Sequence, residues 1–282
     1  MKQITNIPID KLRPFEGHPY KVLDNEEMND LIGSIQESGI LTPLLVRPLE
    51  GTTDEYEVIS GHRRLHAAQK AGLETVPAFI HAVDRDAASI LLVDSNLYRE
   101  HILPSEKAFA YKLKLEAIKH QGIASRQTVG KQESADNISD TESGRTVQRY
   151  IRLTHLIPSL LDLVDQGRIA FSVGVELSYL PDEAQTHLAE LIDRDEATPS
   201  YSQAVRMHRE NGQGFESISR ERIDEIMAEE KPNQREQIRL RRDEFSKYFP
   251  ADYGDKQIKA DILAGLDLLR RQRIRERNRD AR

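Results

Sequence analysis

The sequence predicts an α+β N-terminal domain, then an all-α helix-turn-helix domain, then a charged, mainly helical C-terminal region. Three observations predict it. Short apolar, β-rich runs alternate with helical patterns up to residue 103. From Pro104 onward the β signal fades and helical patterns remain. Near Pro232 the chain turns highly charged. The expected domains are 1–103, 104–196 and 197–282, with ATPS (197–200) as a hinge.

The elements follow in order. ITNIPI (4–9) reads as a short strand. NEEMNDLIGSIQESG (25–39) is an amphipathic helix with Met28, Leu31, Ile32 and Ile35 on one face and Gly39 as its stop. PLLVRPL (43–49) and EYEVIS (55–60) are strands, HRRLHAAQKAG (62–72) a helix ending at Gly72, VPAFIHAV (76–83) a strand and RDAASILLVDSNL (85–97) a helix. SEKAFAYKLKLEAIKHQG (105–122) is a helix with Ser105 as N-cap and Gly122 as stop. Residues 123–135 read as loop or frayed helix, and short helices follow to Asp195. YFPADYGD (248–255) is a turn cluster before a closing helix with Ile262, Leu266 and Leu269 along one face and a basic end.

Composition removes whole classes of function. No apolar run approaches the roughly 20 residues of a membrane span, and the N-terminus lacks a signal-peptide core. There is no cysteine, hence no disulfide, thiolate metal site or cysteine nucleophile. A cytoplasmic protein is expected. The net charge is −7, but residues 104–153 hold nine Lys/Arg against six Asp/Glu, leaving −10 for the rest. A locally basic segment in an acidic chain is a directed surface.

ISGHRRLHAAQKAG (59–72) reads as strand, glycine turn and helix. Arg63 and Arg64 stand where the helix begins, and cations are disfavoured at that end. They either pair with acids and solvent, or an anion sits there. Gly61 allows a sharp turn and close approach, helix amides point outward, and the guanidinium fork fits phosphate. DSNLYREHILPSEKA (94–108) adds Asn96 and Arg99, three apart and hence on one side of a helix. The histidines show no metal-ligand spacing.

Residues 134–171 fit a helix-turn-helix and the helices after it. Residues 134–141 form the support helix, Glu142, Ser143 and Gly144 the turn with Ser143 close to a cap, and Arg145 to Leu153 the recognition helix. Arg145, Arg149 and Arg152 make a basic stripe, while Val147 and Ile151 face the core. Ser143, Arg145, Thr146, Gln148, Arg149 and Arg152 are the candidate DNA contacts, since Gln can pair with adenine and Arg with guanine. The acids Asp136, Asp140 and Glu142 must point away from phosphate.

Together with GILTPLLVRP (39–48), these stretches resemble the ParB family of DNA-partition proteins from Ile4 to Pro181. Family members carry a Gly-Ile-x-Gln-Pro-like box, a Gly-Glu-Arg-Arg-x-x-Ala-like box and a Glu-Asn-x-x-Arg box. Here these read Gly39-Ile40-Leu41-Thr42-Pro43, Gly61-His62-Arg63-Arg64-Leu65-His66-Ala67 and Ser95-Asn96-Leu97-Tyr98-Arg99. GRTVQRYIRL (144–153) also resembles the family's helix-turn-helix. The resemblance implies a ParB/sulfiredoxin-like N-terminal fold and a pocket for CTP and Mg²⁺. It places Thr42, Gly61, His62, Arg63, Arg64, Ser95, Asn96 and Arg99 at the nucleotide, with Asn96 at the metal. It further implies a homodimeric clamp on a palindromic double-stranded DNA site, associated with nucleoid or plasmid.

Thr42, His62 and Ser95 depart from the family's Gln, Glu and Glu. CTP is therefore expected to be bound but turned over slowly or not at all. The first strand begins almost at once, where many relatives carry an extension that engages a ParA-type ATPase. A ParA-type ATPase therefore stays an open expectation, its contact in doubt or moved elsewhere. A sequence-specific regulator on the same fold without a nucleotide switch is the alternative. A nuclease or phosphotransferase needs carboxylates that the boxes lack, and sulfiredoxin chemistry needs a cysteine.

Overall fold

The computed structural model describes residues 3–97, 99, 102–125, 138, 142–212, 217–229, 248–249 and 254–280. Its secondary structure comprises strands β1 (Ile4–Pro8), β2 (Leu12–Pro14), β3 (Leu44–Pro48), β4 (Tyr56–Ser60) and β5 (Thr75–Ile80). The helices are α1 (Glu26–Ser38), α2 (His62–Ala71), α3 (Arg85–Asp94), α4 (Pro104–Ser125), α5 (Gly144–Leu153), α6 (Pro158–Asp165), α7 (Phe171–Leu177), α8 (Asp182–Asp195), α9 (Tyr201–Asn211), α10 (Arg220–Ala228) and α11 (Asp255–Asp280). The chain separates into two compact units, 1–229 and 230–282.

The strands form one mixed sheet in the order β1-β5-β3-β4-β2. β1 and β5 are antiparallel, as are β3 and β4, while β3 runs parallel to β5 and β2 to β4. Strand alternation sorts the side chains. Leu44, Val46, Val58, Val76 and Ala78 are buried with Leu65 and Ala68 of α2. Ile59 joins a second cluster with Ala88, Leu92 and Val93 of α3. α1 packs on α2 through Met28, Ile35 and Ala67. Asn25 caps α1 by accepting the Met28 N–H at 3.1 Å, and Gly39 ends it at φ +68°.

A charged pair sits inside this sheet. Arg47 Nε donates to Glu57 Oε2 at 2.7 Å, both side chains being 3% exposed. Glu57 Oε1 also accepts the Glu16 N–H at 3.1 Å, which fastens the loop after β2.

The helices from α4 to α10 share another core, running from Ala108 through Leu153, Leu160 and Leu188 to Met207 and Ile226. This core continues past residue 196, and the 197–200 stretch leads into a capping box at Ser200 and Gln203. Two sequence expectations are corrected. α4 begins one residue before Ser105, which instead donates from its amide and hydroxyl to Asp165 (2.9 and 2.5 Å). α4 also runs through Gly122 to Ser125. The support helix at 134–141 lies outside the described residues, apart from buried Ile138. So do 250–253 of the turn cluster. α11 exposes Leu263, Leu266, Leu268 and Leu269.

Removing one member of a buried ion pair strands the other charge, at a cost of about 3–5 kcal/mol. Glu57→Ala should lower unfolding free energy by about that amount in urea titration. A loss below ~1 kcal/mol would show that Arg47 finds other partners.

Candidate functional site

Gly61 ends β4 and starts α2 at φ +107°, a left-handed conformation that a side chain resists. A Cβ there would meet Leu44 Cγ at 3.0 Å and the Arg64 guanidinium at 3.1 Å. No side chain caps the helix and its first turn holds no acid. The positive end of α2 is therefore offset by no side-chain cap and by no acid of its own first turn.

Arg63 Nη2 donates to Glu27 at 3.0 Å on the rim. Arg64 turns back, donating through Nη1 to the carbonyls of Thr42 and, at 2.9 Å, Pro43. Burial and the neighbouring Arg99 charge both work against the protonated form of Arg64. Cations crowded this way gain from an anion.

His62 contributes no charge. Its Nε2 accepts the Phe15 N–H at 3.3 Å, and its ring lies against His18 with centroids 3.6 Å apart. Burial, then His18 and Arg99, push its pKa down to about 3. The third wall is a turn, where a helix was expected. α3 ends at Asp94, the Arg99 amide donates to the Asn96 carbonyl at 3.1 Å, and Asn96 is buried. Asn96 Nδ2 donates to Leu92 O (2.7 Å) and Ser95 Oγ (3.1 Å), leaving its oxygen as the ligating end. Asp94 pairs with Lys114 at 2.5 Å.

Gly61, His62, Arg63, Asn96 and Arg99 line one cavity with His18, Tyr20, Lys21 and Val22. Its volume is 10 Å³, about one water, so a triphosphate enters only if the walls part. The glycine cradle and crowded cations fit phosphate. The metal fit is weaker: Asn96 and Ser95 are neutral, and no group of three or more His, Asp or Glu side chains among the described residues is placed to hold a metal. His18 and Lys21 also border a 460 Å³ cavity walled by Phe109, Leu156, Pro158 and Leu161.

A second candidate surface lies on α5. Ser143 caps it, accepting the Thr146 N–H at 3.3 Å. Val147 is buried with Tyr111 and Ile138. Arg145, Gln148 and Arg149 are exposed, and the Arg149 guanidinium lies 5.0 Å from the Phe171 ring. Glu142 is drawn onto α4 by Lys107 and by the Tyr111 hydroxyl at 3.2 Å.

Arg152 differs from the other two arginines. It donates to Ser178 Oγ (3.2 Å) and Ser178 O (2.7 Å), and its Cζ lies 4.0 Å from the centroid of Tyr179. Tyr179 stacks on His208 at 3.9 Å, and His208 donates to Glu176 at 2.7 Å. In this state Arg152 anchors α5 to α7 and α9, so the exposed stripe consists of Arg145 and Arg149.

The ParB N-terminal domain profile matches residues 1–97. Over 194 residues the chain is 35% identical to the chromosome-partitioning protein Spo0J of Thermus thermophilus, covering 68% of this chain and 66% of that one. The chain belongs to the ParB family.

The chromosome-partitioning protein ParB of Caulobacter vibrioides is 36% identical over 127 residues, 45% of this chain and 42% of its own length. The matches thus span less than two thirds of these relatives. The C-terminally truncated ParB from Caulobacter crescentus complexed to the centromeric parS site is similar at 25% identity, covering 73% of this chain and 99% of that one, with a TM-score of 0.43.

Within this ParB-family chain, one wall of the cavity comes from the loop after β2, which the sequence motifs do not include. That loop supplies His18, Tyr20 and Lys21 to the cavity, and no local motif marks it.

His62 also has a pH signature. Its ordinary value near 6.5 returns on unfolding, so between pH 6.5 and about 3 the unfolded chain binds more protons there. The stability it contributes is complete above pH 6.5 and declines as pH falls through that window. His62→Gln keeps an acceptor for the Phe15 amide and should flatten the fall in thermal midpoint below pH 6.5. An unaltered pH profile would show that His62 titrates normally.

Proposed function

We propose that this ParB-family protein is a DNA-binding partition protein that works as a CTP-gated, dimeric clamp on a palindromic site. The observation that carries the reading is a convergence of three distant stretches. Thr42 and Pro43 hold Arg64 by their carbonyls, Gly61 and Arg63 open α2, and Asn96 and Arg99 close the same cavity. Residues 1–103 form the nucleotide-binding part and the helices from 104 the DNA-binding part. The 197–282 region is left with the charged helix α11, whose basic end is a candidate nonspecific DNA contact.

In its nucleotide-bound form the cavity takes the triphosphate on the α2 amides, Arg63, Arg64 and Arg99, with Asn96 at Mg²⁺. His62 and Ser95 supply no carboxylate, so turnover is slow or absent and release depends on nucleotide leaving. In the DNA-bound form Arg145, Thr146, Gln148 and Arg149 meet bases and phosphates, with Ser143 as the cap. Arg152 joins them only if it leaves Ser178. The second reading, a regulator without a nucleotide switch, is favoured by the 10 Å³ cavity alone.

CTP titration, with and without cognate DNA, separates the two readings. Arg63→Ala is the clean variant because Arg63 gives up only the rim contact with Glu27, whereas Arg64→Ala also deprives two backbone carbonyls of their donor. Arg63→Ala is expected to weaken CTP binding at least tenfold with the fold and basal DNA binding intact. Equal CTP affinity would remove Arg63 from the site.

On the DNA side, Arg149→Ala should cost about 1–3 kcal/mol of cognate affinity and reduce the salt dependence of binding if a phosphate contact is lost. Unchanged affinity would mean that α5 is not the recognition helix.

A further inference from the structure

The unresolved element in the cavity is Tyr20, which no motif box contains. Its side chain is buried, 5% exposed, and packs with Phe15, Ile59, Leu92 and Val93. Yet its hydroxyl has no hydrogen-bond partner, a state it shares, among buried side-chain atoms of the described residues, with His81 Nδ1. A buried hydroxyl left unpaired is less stable than the bare ring would be. A phenylalanine would fill the same space without that penalty.

The surroundings say what would satisfy it. Tyr20 lines the cavity with Gly61, Arg63, Asn96 and Arg99, and the Arg99 guanidinium lies 5.8 Å from its ring centroid. Burial pushes the phenol pKa up, so the group is a neutral donor at every physiological pH. Beside two guanidiniums, the complementary partner is an anionic oxygen.

We propose that the Tyr20 hydroxyl donates a hydrogen bond to a phosphate oxygen of the nucleoside triphosphate held by this cavity. The inference rests on the nucleotide-binding reading and adds a contact to it. Phe15, Ile59 and α3 fix the ring, so the donor is in place before the ligand arrives. Tyr20 already lines the 10 Å³ cavity, so the walls need only part for a phosphate oxygen to meet its hydroxyl.

The test is Tyr20→Phe in the full chain, titrated with CTP and with inorganic triphosphate, both with Mg²⁺, beside thermal melts without ligand. The expected result is a loss of about tenfold or more in affinity for both ligands, the scale of a hydrogen bond to a charged group. The melting point of the free variant should be unchanged or higher, because an unpaired polar atom has been removed. Wild-type affinity in the variant overturns the inference and leaves the nucleotide reading standing. A loss confined to CTP overturns it too, since the contact would then be to base or ribose. A lower melting point in the free variant overturns it by revealing a structural partner. Wild-type protein that binds neither ligand overturns the nucleotide reading, and this inference with it.

Discussion

The buried pair between Arg47 and Glu57 is the constraint on which the candidate site depends. One Glu57 oxygen takes Arg47 on β3, and the other takes the amide of Glu16. The loop after β2 is thereby tied to the centre of the sheet. Phe15 donates to His62 on α2, and Glu16 pairs with Arg85 at the start of α3. At the loop's far end the Lys21 amide meets Glu106 on α4, and its ammonium meets Asp162 and Asp165 on α6. One short segment thus touches β4, α2, α3, α4 and α6. The buried carboxylate holds it where His18 and Tyr20 can form a wall.

Two arginines at the wrong end of a helix find their account in the same region. The positive end of α2 is not offset by any acid in its own first turn. Arg63 leans outward to Glu27, and Arg64 folds back onto two carbonyls. These contacts relieve part of the repulsion, but Arg99 still opposes Arg64. The free protein tolerates the arrangement, and an anion bound there would improve it.

Features governed by local chemistry were legible in the sequence. Gly39 ends α1, Gly61 and Gly72 bracket α2, and Ser143 opens α5, each through a backbone requirement of a few neighbouring residues. Features governed by distant partners were not. β2 has three residues and exists through its pairing with β4. Arg152 has the spacing of a basic stripe, but Ser178 and Tyr179, far along the chain, claim it. Gly122 did not stop α4, since a mid-helix glycine costs only about 1 kcal/mol and the helix runs on to Ser125. Asn96 and Arg99 were rightly brought to one place, though by a turn and not by helical spacing.

The ladder from Arg152 through Tyr179 and His208 to Glu176 has a genetic consequence. It braces α5 from behind with Glu176 on α7, Tyr179 just beyond α7 and His208 on α9. On the DNA-binding reading, the tilt of α5 against the duplex is inherited from those residues. Selection for an altered site could then act at positions 176, 179 or 208 without touching a side chain that meets a base. Compensating changes for a damaged α5 should be sought on α9, some fifty positions downstream of the motif they repair.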